Sequence, residues 1–238
     1  KLMVEARTEK RMEKLTGRTQ MQQIGIRISD GVTSILPFMK ANIDRSPVLK
    51  HRVEQVELNR RVITEKDLTT RRSTFHNKTA ESVQETFDRL LAEYKTKVKQ
   101  FEEHPELKSK PRWFVSITGT HWLLARAWRT LERYELQKTV STFPVEVHVV
   151  RIGDMAIATN PFELYLDYGS QIKARSKAVQ TFVVELASPG GGGYLPTQRS
   201  VQGGAYGAIP QSTLIGPEGG RVLVNRTLEL IESLWDQE

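Results

Sequence analysis

The chain has 238 residues, of which 38% are hydrophobic, and this suits one domain or two small ones around a buried core. No apolar run approaches the roughly 20 residues that a transmembrane helix needs. The absence of cysteine excludes disulfides, thiolate nucleophiles and cysteine-ligated zinc. Any metal would therefore be bound by His, Asp, Glu, Tyr or backbone oxygen.

The net charge of +7 comes from the first half of the chain. Residues 1–112 hold 24 Lys and Arg against 16 Asp and Glu, whereas residues 113–238 hold 11 against 12. A basic half is typical of proteins that bind nucleic acid or an anionic membrane surface. Here the bases alternate with acids, as in Glu9-Lys10-Arg11, and no aromatic residues are interleaved to stack on nucleobases. We therefore predict solvated helical surfaces and no nucleic-acid partner, and leave a membrane surface open.

The first half of the chain is predicted to be rich in helix. Apolar residues recur at helical spacing from Ile24 to Met39 and again after Thr79, where the second helix should end near Glu103 because His104 precedes a proline. Between them, an imperfect alternation over 52–63 predicts one strand. The segment 103–112 contains two prolines and five formal charges, and we interpret it as a linker. The predicted division is thus a basic helix-rich portion with one strand, 1–112, and an α/β portion, 113–238, within one domain that lacks an upstream half.

The second half alternates between strand and helix patterns. The predicted elements are a buried strand at 113–118, a helix at 122–136, a hairpin at 145–159 with Gly153-Asp154 in its turn, a strand at 182–186 and a helix at 218–235. Intermingled strands and helices predict an α/β or α+β fold, in which a mixed β-sheet is layered with helices.

Two segments at the ends of predicted strands contain the candidate functional residues. The hairpin runs into Asn160-Pro161-Phe162-Glu163, where the proline suits the first turn of a helix and Asn160 its cap. Glu163 in that turn has a structural explanation, because the positive end of the helix dipole favours a carboxylate. A binding role is the alternative, because loops at strand ends are where sheet proteins usually place ligands.

The second segment, 190–207, contains seven glycines and two tyrosines, Tyr194 and Tyr206. Glycine is favoured where the backbone needs positive φ or must approach something closely. The segment is therefore either a disordered spacer or a shaped loop around a ligand. Tyr194 either packs against a loop that lacks other side chains or reaches into a site.

Three stretches of the sequence carry a family resemblance: VHVVRIGDMAIATNPFELYLDYGSQIKARS, TFVVELASPGGGGYLPTQRSVQGGAYG and GPEGGRVLVNRTLELIESLW. Together they resemble the C-terminal part of the catalytic domain of neutral/alkaline non-lysosomal ceramidases, and still more the bacterial ceramidase-like proteins. The shared pattern is a strand–Gly-Asp–strand unit, then Pro-x-Glu, and later a loop with Tyr-x-x-Thr and a second tyrosine. The earlier stretch VEQVELNRRVITEKDL is similar to a mid-domain strand of the family.

The resemblance implies a zinc-dependent hydrolase that cleaves the amide bond of a small-molecule or lipid N-acyl substrate. It implies an αββα arrangement, and export to the periplasm or the cell exterior. Matching the motifs makes Glu163 and Tyr194 the implied metal ligands and Tyr206 the catalytic residue that hydrogen-bonds the reacting carbonyl. Gly192 and Gly193 would let the backbone approach the substrate. A non-catalytic relative that uses the same loop to bind a ligand or partner is the alternative.

The resemblance also implies two histidine ligands, supplied by an upstream half of the domain that precedes Lys1. The histidines within the chain show no paired metal-binding spacing, and we interpret them as surface or packing residues: His51, His76, His104, His121 and His148.

Overall fold

The computed structural model describes residues 2–41, 43–70 and 80–235, and the statements below concern those ranges. The chain divides into two compact units, Lys1–Pro47 and Val48–Glu238. The boundary between them follows Pro47, whereas the sequence places one at residue 112. His76 lies outside the described residues. Within the described ranges, no helix combines the length and the apolar character needed to cross a bilayer.

The first unit contains two helices, α1 (Leu2–Thr16) and α2 (Gln20–Ala41). Helix α2 confirms the helix predicted from the apolar spacing. The side chains that form this spacing are exposed, among them Ile24, Ile28 and Val32. Burial in this structure therefore does not account for the apolar stripe.

The second unit is built on a mixed sheet, as the sequence predicts. Its strands are β1 (Leu49–Asn59), β2 (Thr142–Ile152), β3 (Met155–Thr159) and β5 (Gln180–Val184), in the order β1-β2-β3-β5. The β1–β2 and β2–β3 pairs are antiparallel and the β3–β5 pair is parallel. The predicted hairpin is confirmed, and Gly153 in its turn has a φ of +57°, a conformation that favours glycine.

One face of the sheet forms the hydrophobic core with helix α8 (Pro217–Glu232). The inward residues alternate along β2, where Val145, Val147 and Val149 are almost fully buried. They pack in one cluster with apolar residues of α8, including Leu223 and Ile231. Each such side chain stabilises the fold by about 1.5–3 kcal/mol on burial. The α8 helix confirms the element predicted near the end of the chain.

Helices α4 (Val83–Glu103) and α5 (Phe114–Leu136) pack against each other on either side of a 3₁₀ turn, Pro105–Ser109. The predicted linker therefore connects two helices in contact. Lys97 of α4 donates to the Thr120 hydroxyl of α5 at 2.7 Å. A short helix, α3 (Glu65–Thr69), precedes this pair.

The strand predicted at 113–118 is wrong, because Phe114 begins α5. A short apolar run has no period that separates a buried strand from a helix. Phe114 and Val115 are exposed, whereas Thr120, six residues beyond Phe114, is buried and accepts from Lys97 of α4. The helix that packs on α4 thus begins earlier than the sequence indicates.

The prediction that Pro161-Phe162-Glu163 opens a helix is also wrong. Glu163–Leu164 form a two-residue strand, β4, and the helix α6 begins only at Leu166 and ends at Arg175. The partner of β4 is β6 (Tyr194–Leu195), in the glycine-rich segment. The backbone N–H of Glu163 donates to Gly193 across this pair, and the helix is delayed until the pairing ends. Another short helix, α7 (Gln198–Gln202), follows β6.

Candidate functional site

The short parallel pair β4–β6 brings the two predicted metal ligands together. Glu163 lies directly opposite Tyr194 in the register, and Leu164 lies opposite Leu195. Two backbone hydrogen bonds hold this register, from Glu163 N to the Gly193 carbonyl at 3.0 Å and from Tyr165 N to the Leu195 carbonyl at 3.3 Å. Directly opposite residues of adjacent strands project their side chains from the same face of a sheet. The Glu163 and Tyr194 side chains therefore lie side by side.

Local turn chemistry prepares β4 for this pairing. The side-chain oxygen of Asn160 accepts from the Phe162 N–H at 3.1 Å, so Asn160 stabilises a turn instead of capping a helix. The Asn160 N–H in turn donates to the Val184 carbonyl at the end of β5. Phe162 is fully buried beneath the turn. The chain therefore leaves β3, anchors in the core and presents Glu163 to the glycine-rich segment.

The predicted substrate-binding glycines, Gly192 and Gly193, have steric reasons to be glycine. A Cβ on Gly192 would lie 2.0 Å from the Phe162 ring. Gly193 has a φ of +65°, and a Cβ there would lie 2.8 Å from the Ser212 carbonyl oxygen. Both glycines thus let the segment pack closely against its neighbours, and their contact with a substrate stays a prediction.

Glu163 acts on the Tyr194 phenol from the opposite strand of the β4–β6 pair. Hydrogen bonding to this carboxylate is the largest cause that raises the pKa of Tyr194 from its ordinary value of 10 to about 12; burial and the nearby negative charge add to it. Both side chains are half-buried. At neutral pH the phenol keeps its proton.

Tyr206 completes the cluster of predicted residues. It begins a 3₁₀ turn, Tyr206–Ala208, and its ring meets that of Tyr194 edge to face, with centroids 5.9 Å apart and planes at 80°. The next residue, Gly207, lies against Tyr194, because a Cβ there would be 2.9 Å from that ring. The structure therefore brings Glu163, Tyr194 and Tyr206 into one cluster of contacts.

Sequence reasoning missed Arg126, which joins this cluster from helix α5. Its Nη1 donates to the Tyr206 hydroxyl at 3.1 Å, and its Nη2 and Nε donate to the Ser212 hydroxyl and the Gln211 carbonyl. The guanidinium carbon lies 4.7 Å from the centroid of the Tyr206 ring, a cation–π distance. No signal in the sequence links this helix position to a loop so far along the chain.

Two more arginines bind the same loop. Arg61 donates to the Ala208 carbonyl at 2.6 Å, and Arg133 donates to the carbonyls of Pro210 and Thr213. Burial first, and then the nearby charges of Arg61 and Arg60, lower the pKa of Arg133 to about 10. The loop that carries Tyr206 thus lies in a positive electrostatic environment.

Glu163 and Tyr194 are neighbours across the β4–β6 pair, as two ligands of one zinc ion must be. Two oxygens bound to one zinc at about 2 Å each can be at most about 4 Å apart. Throughout the described ranges, no group of three or more His, Asp or Glu side chains is placed to hold a metal ion. For a metal site, Glu163 and Tyr194 would supply two ligands, and further ligands would have to come from elsewhere.

One pair of histidines meets in space without any sequence signal. His51 of β1 and His148 of β2 approach at 3.0 Å between Nε2 and Nδ1, and His148 Nε2 lies 2.8 Å from the Glu146 carboxylate. The two strands pair antiparallel, which brings His51 close to His148 despite their separation along the chain. This cluster belongs to the sheet and not to the β4–β6 pair.

Comparisons of the chain with protein-family models, with curated proteins and with solved structures found no match.

Proposed function

We propose that this chain is the C-terminal portion of a ceramidase-like, zinc-dependent amidohydrolase that cleaves an N-acyl amide bond. The observation that carries the proposal is the position of Glu163 directly opposite Tyr194 in the β4–β6 pair, with Tyr206 against the same ring. These are the three residues that the family motif implies, and they come from two distant segments of the chain. The proposal includes an upstream half with the two histidine ligands, and export from the cytoplasm.

The proposed roles follow from the oxygen atoms that the chain presents. The Glu163 carboxylate and the Tyr194 phenol oxygen would hold the zinc, which would supply Lewis acidity and activation of water near neutral pH. Tyr194 would release its proton on binding, because a cation favours the phenolate. Zinc would thus take the place of the phenolic proton between Glu163 and Tyr194.

Tyr206 would act on the substrate. In hydrolysis the oxygen of water joins the carbonyl carbon, the C–N bond breaks, and an acid and an amine leave. Negative charge develops on the carbonyl oxygen, and a hydroxyl donor placed there stabilises it. Arg126 donates to the Tyr206 oxygen and holds this hydroxyl in position.

Metal content of the full-length protein tests the proposal. With the residues that precede Lys1 present, we expect about one zinc per chain. Glu163→Gln and Tyr194→Phe should each lower zinc affinity by an order of magnitude or more, and both should abolish amide hydrolysis. Tyr206→Phe should retain zinc and lower kcat by about 10²–10³-fold, as does loss of an oxyanion donor elsewhere.

A matched control is Glu218→Gln, at an exposed glutamate of α8 that pairs with Arg221. It should leave zinc content and turnover unchanged. A protein that binds no zinc, or one whose zinc persists in Glu163→Gln, contradicts the proposal.

The alternative is a non-catalytic relative that binds a ligand or a partner through the glycine-rich segment. One observation favours it: Glu163 lies opposite Tyr194 and raises the pKa of its phenol, an arrangement that needs no metal. A zinc-free protein that still binds its ligand after Glu163→Gln would support this alternative.

A further inference from the structure

Arg126 is a half-buried cation whose described partners are all neutral. It donates to the Tyr206 hydroxyl, the Ser212 hydroxyl and the Gln211 carbonyl. A guanidinium has five N–H donors, so these bonds leave donor capacity for a ligand. Among residues 2–41, 43–70 and 80–235, no carboxylate forms an ion pair with Arg126. Burying a charge is costly unless it is paired, and an anion would offset this cost.

The surroundings of Arg126 reinforce its positive charge. Arg61 and Arg133 bind carbonyl oxygens of the same loop, and within the described part of the chain neither forms an ion pair with a carboxylate. The pKa of Arg133 is lowered to about 10, partly by the repulsion of neighbouring arginines. An anion bound here would reduce that repulsion.

Two exposed aromatic rings flank the Arg126 guanidinium. Its central carbon lies 4.7 Å from the Tyr206 ring centroid and 5.5 Å from that of Trp122. Tyr206 and Trp122 are 39% and 49% exposed, so this cluster borders solvent. A planar guanidinium held by flanking rings presents a fork that matches a planar carboxylate.

We propose that Arg126, Trp122 and Tyr206 form a subsite for a carboxylate. Together with the proposed hydrolase activity, on which this second step depends, the subsite indicates that the substrate is an N-acyl amino acid. Tyr206 would hydrogen-bond the scissile carbonyl, and Arg126 lies 3.1 Å from the same hydroxyl. A carboxylate on Arg126 is then only a few bonds from that carbonyl, as in an amide of an α- or β-amino acid.

A pair of ligands tests the subsite in the wild-type full chain. N-benzoylglycine carries the carboxylate, and N-benzoylglycinamide replaces it with a neutral amide of the same shape. Titration followed by tryptophan fluorescence or calorimetry should show that the carboxylate binds on the order of 10- to 100-fold more tightly, as expected for hydrogen bonds to charged groups. The preference should shrink with added salt. Equal affinities overturn the inference.

Substitutions of Arg126 test whether this residue causes the preference for the carboxylate. Arg126→Gln should abolish it, Arg126→Lys should retain part of it, and the control Arg129→Gln, at an exposed arginine of the same helix, should leave it intact. If Arg126→Gln does not fold, comparison of the two ligands in the wild type and in Arg126→Lys still tests the subsite. A preference that survives in folded Arg126→Gln contradicts the assignment. An equal loss of kcat for charged and neutral amides, with unchanged KM, also contradicts it, because Arg126 would then act on the oxyanion.

Failure of the subsite and failure of the proposed function are separable. A zinc-loaded, active protein without preference for the carboxylate overturns the subsite alone. A carboxylate preference that Arg126→Gln removes, in a protein without zinc or hydrolysis, supports the subsite and overturns the hydrolase.

Discussion

Tyr194 lies directly opposite Glu163 in the parallel pair β4–β6. The backbone alone sets this proximity, since the register places the two residues side by side. The chemistry of the cluster then depends on whether the carboxylate and the phenol share a proton or a cation.

The first prediction concerns the titration of Tyr194. Its pKa of about 12 should fall towards 10 in Glu163→Gln, because the carboxylate that favours the neutral phenol is then absent. Ultraviolet difference titration, with Tyr194→Phe as the reference, measures this shift. An unchanged titration in Glu163→Gln would show that the hydrogen bond does not control the phenol.

The same shift predicts how stability changes with pH. The folded pKa lies above the unfolded value, so the stabilisation is fully present below pH 10 and is lost as the pH rises through about 12. The difference in unfolding free energy between wild type and Tyr194→Phe should follow that course in urea titrations. If the difference in unfolding free energy increases above pH 10, the predicted direction of the pH dependence is wrong.

Gly192→Ala should destabilise the second unit. The added methyl group would lie 2.0 Å from the buried Phe162 ring, and overpacking of this kind costs about 1–3 kcal/mol. Chemical denaturation measures the change. The control is Gly169→Ala in helix α6, where a Cβ meets nothing within 4 Å and where the substitution should be neutral or stabilising. Equal effects of the two substitutions would contradict the steric explanation.

Asn160→Ala should remove the turn that precedes Glu163. The buried N–H of Phe162 then loses its partner at 3.1 Å, at a cost of about 1–3 kcal/mol. Amide exchange at Glu163 should accelerate as well, because this turn leads into β4. Asn225→Ala is the matched control, since Asn225 is exposed and accepts from Arg175 on the surface. Comparable losses of stability at both sites would count against a special role for the turn.

The ion pair between Glu54 and Arg226 predicts an acid-sensitive contact between β1 and α8. Both carboxylate oxygens accept from the guanidinium, at 2.6 and 2.7 Å, and this bond lowers the pKa of Glu54. The stabilisation is therefore present at neutral pH and is lost as the pH falls through the lowered pKa. Because the pair is partly exposed, a double-mutant cycle should give at most about 1 kcal/mol at pH 7. A coupling that is larger at pH 3 than at pH 7 contradicts this account.

The sequence predicted most of the helices and strands, and it identified Glu163, Tyr194 and Tyr206, but it did not predict how these three side chains are arranged. The hairpin with Gly153 in its turn, helix α4 and the terminal helix α8 follow from local periodicity. The family motif selected Glu163, Tyr194 and Tyr206, which the structure brings into contact, although their roles stay predictions. Arg126 was missed, because its link to Tyr206 depends on how α5 packs against the loop at 206–213.

The sequence by itself determined the elements whose pattern is local, because a helix or a hairpin turn depends on neighbours a few residues away. Only the tertiary structure decided that Glu163 lies in a strand and that Phe114 begins a helix. In both places the local pattern is ambiguous. Glu163 pairs with the backbone of Gly193, and α5 packs against helix α4; both partners come from distant segments of the chain. The environment of the Tyr194 phenol depends on the same long-range pairing, because the carboxylate that holds its proton comes from the other strand.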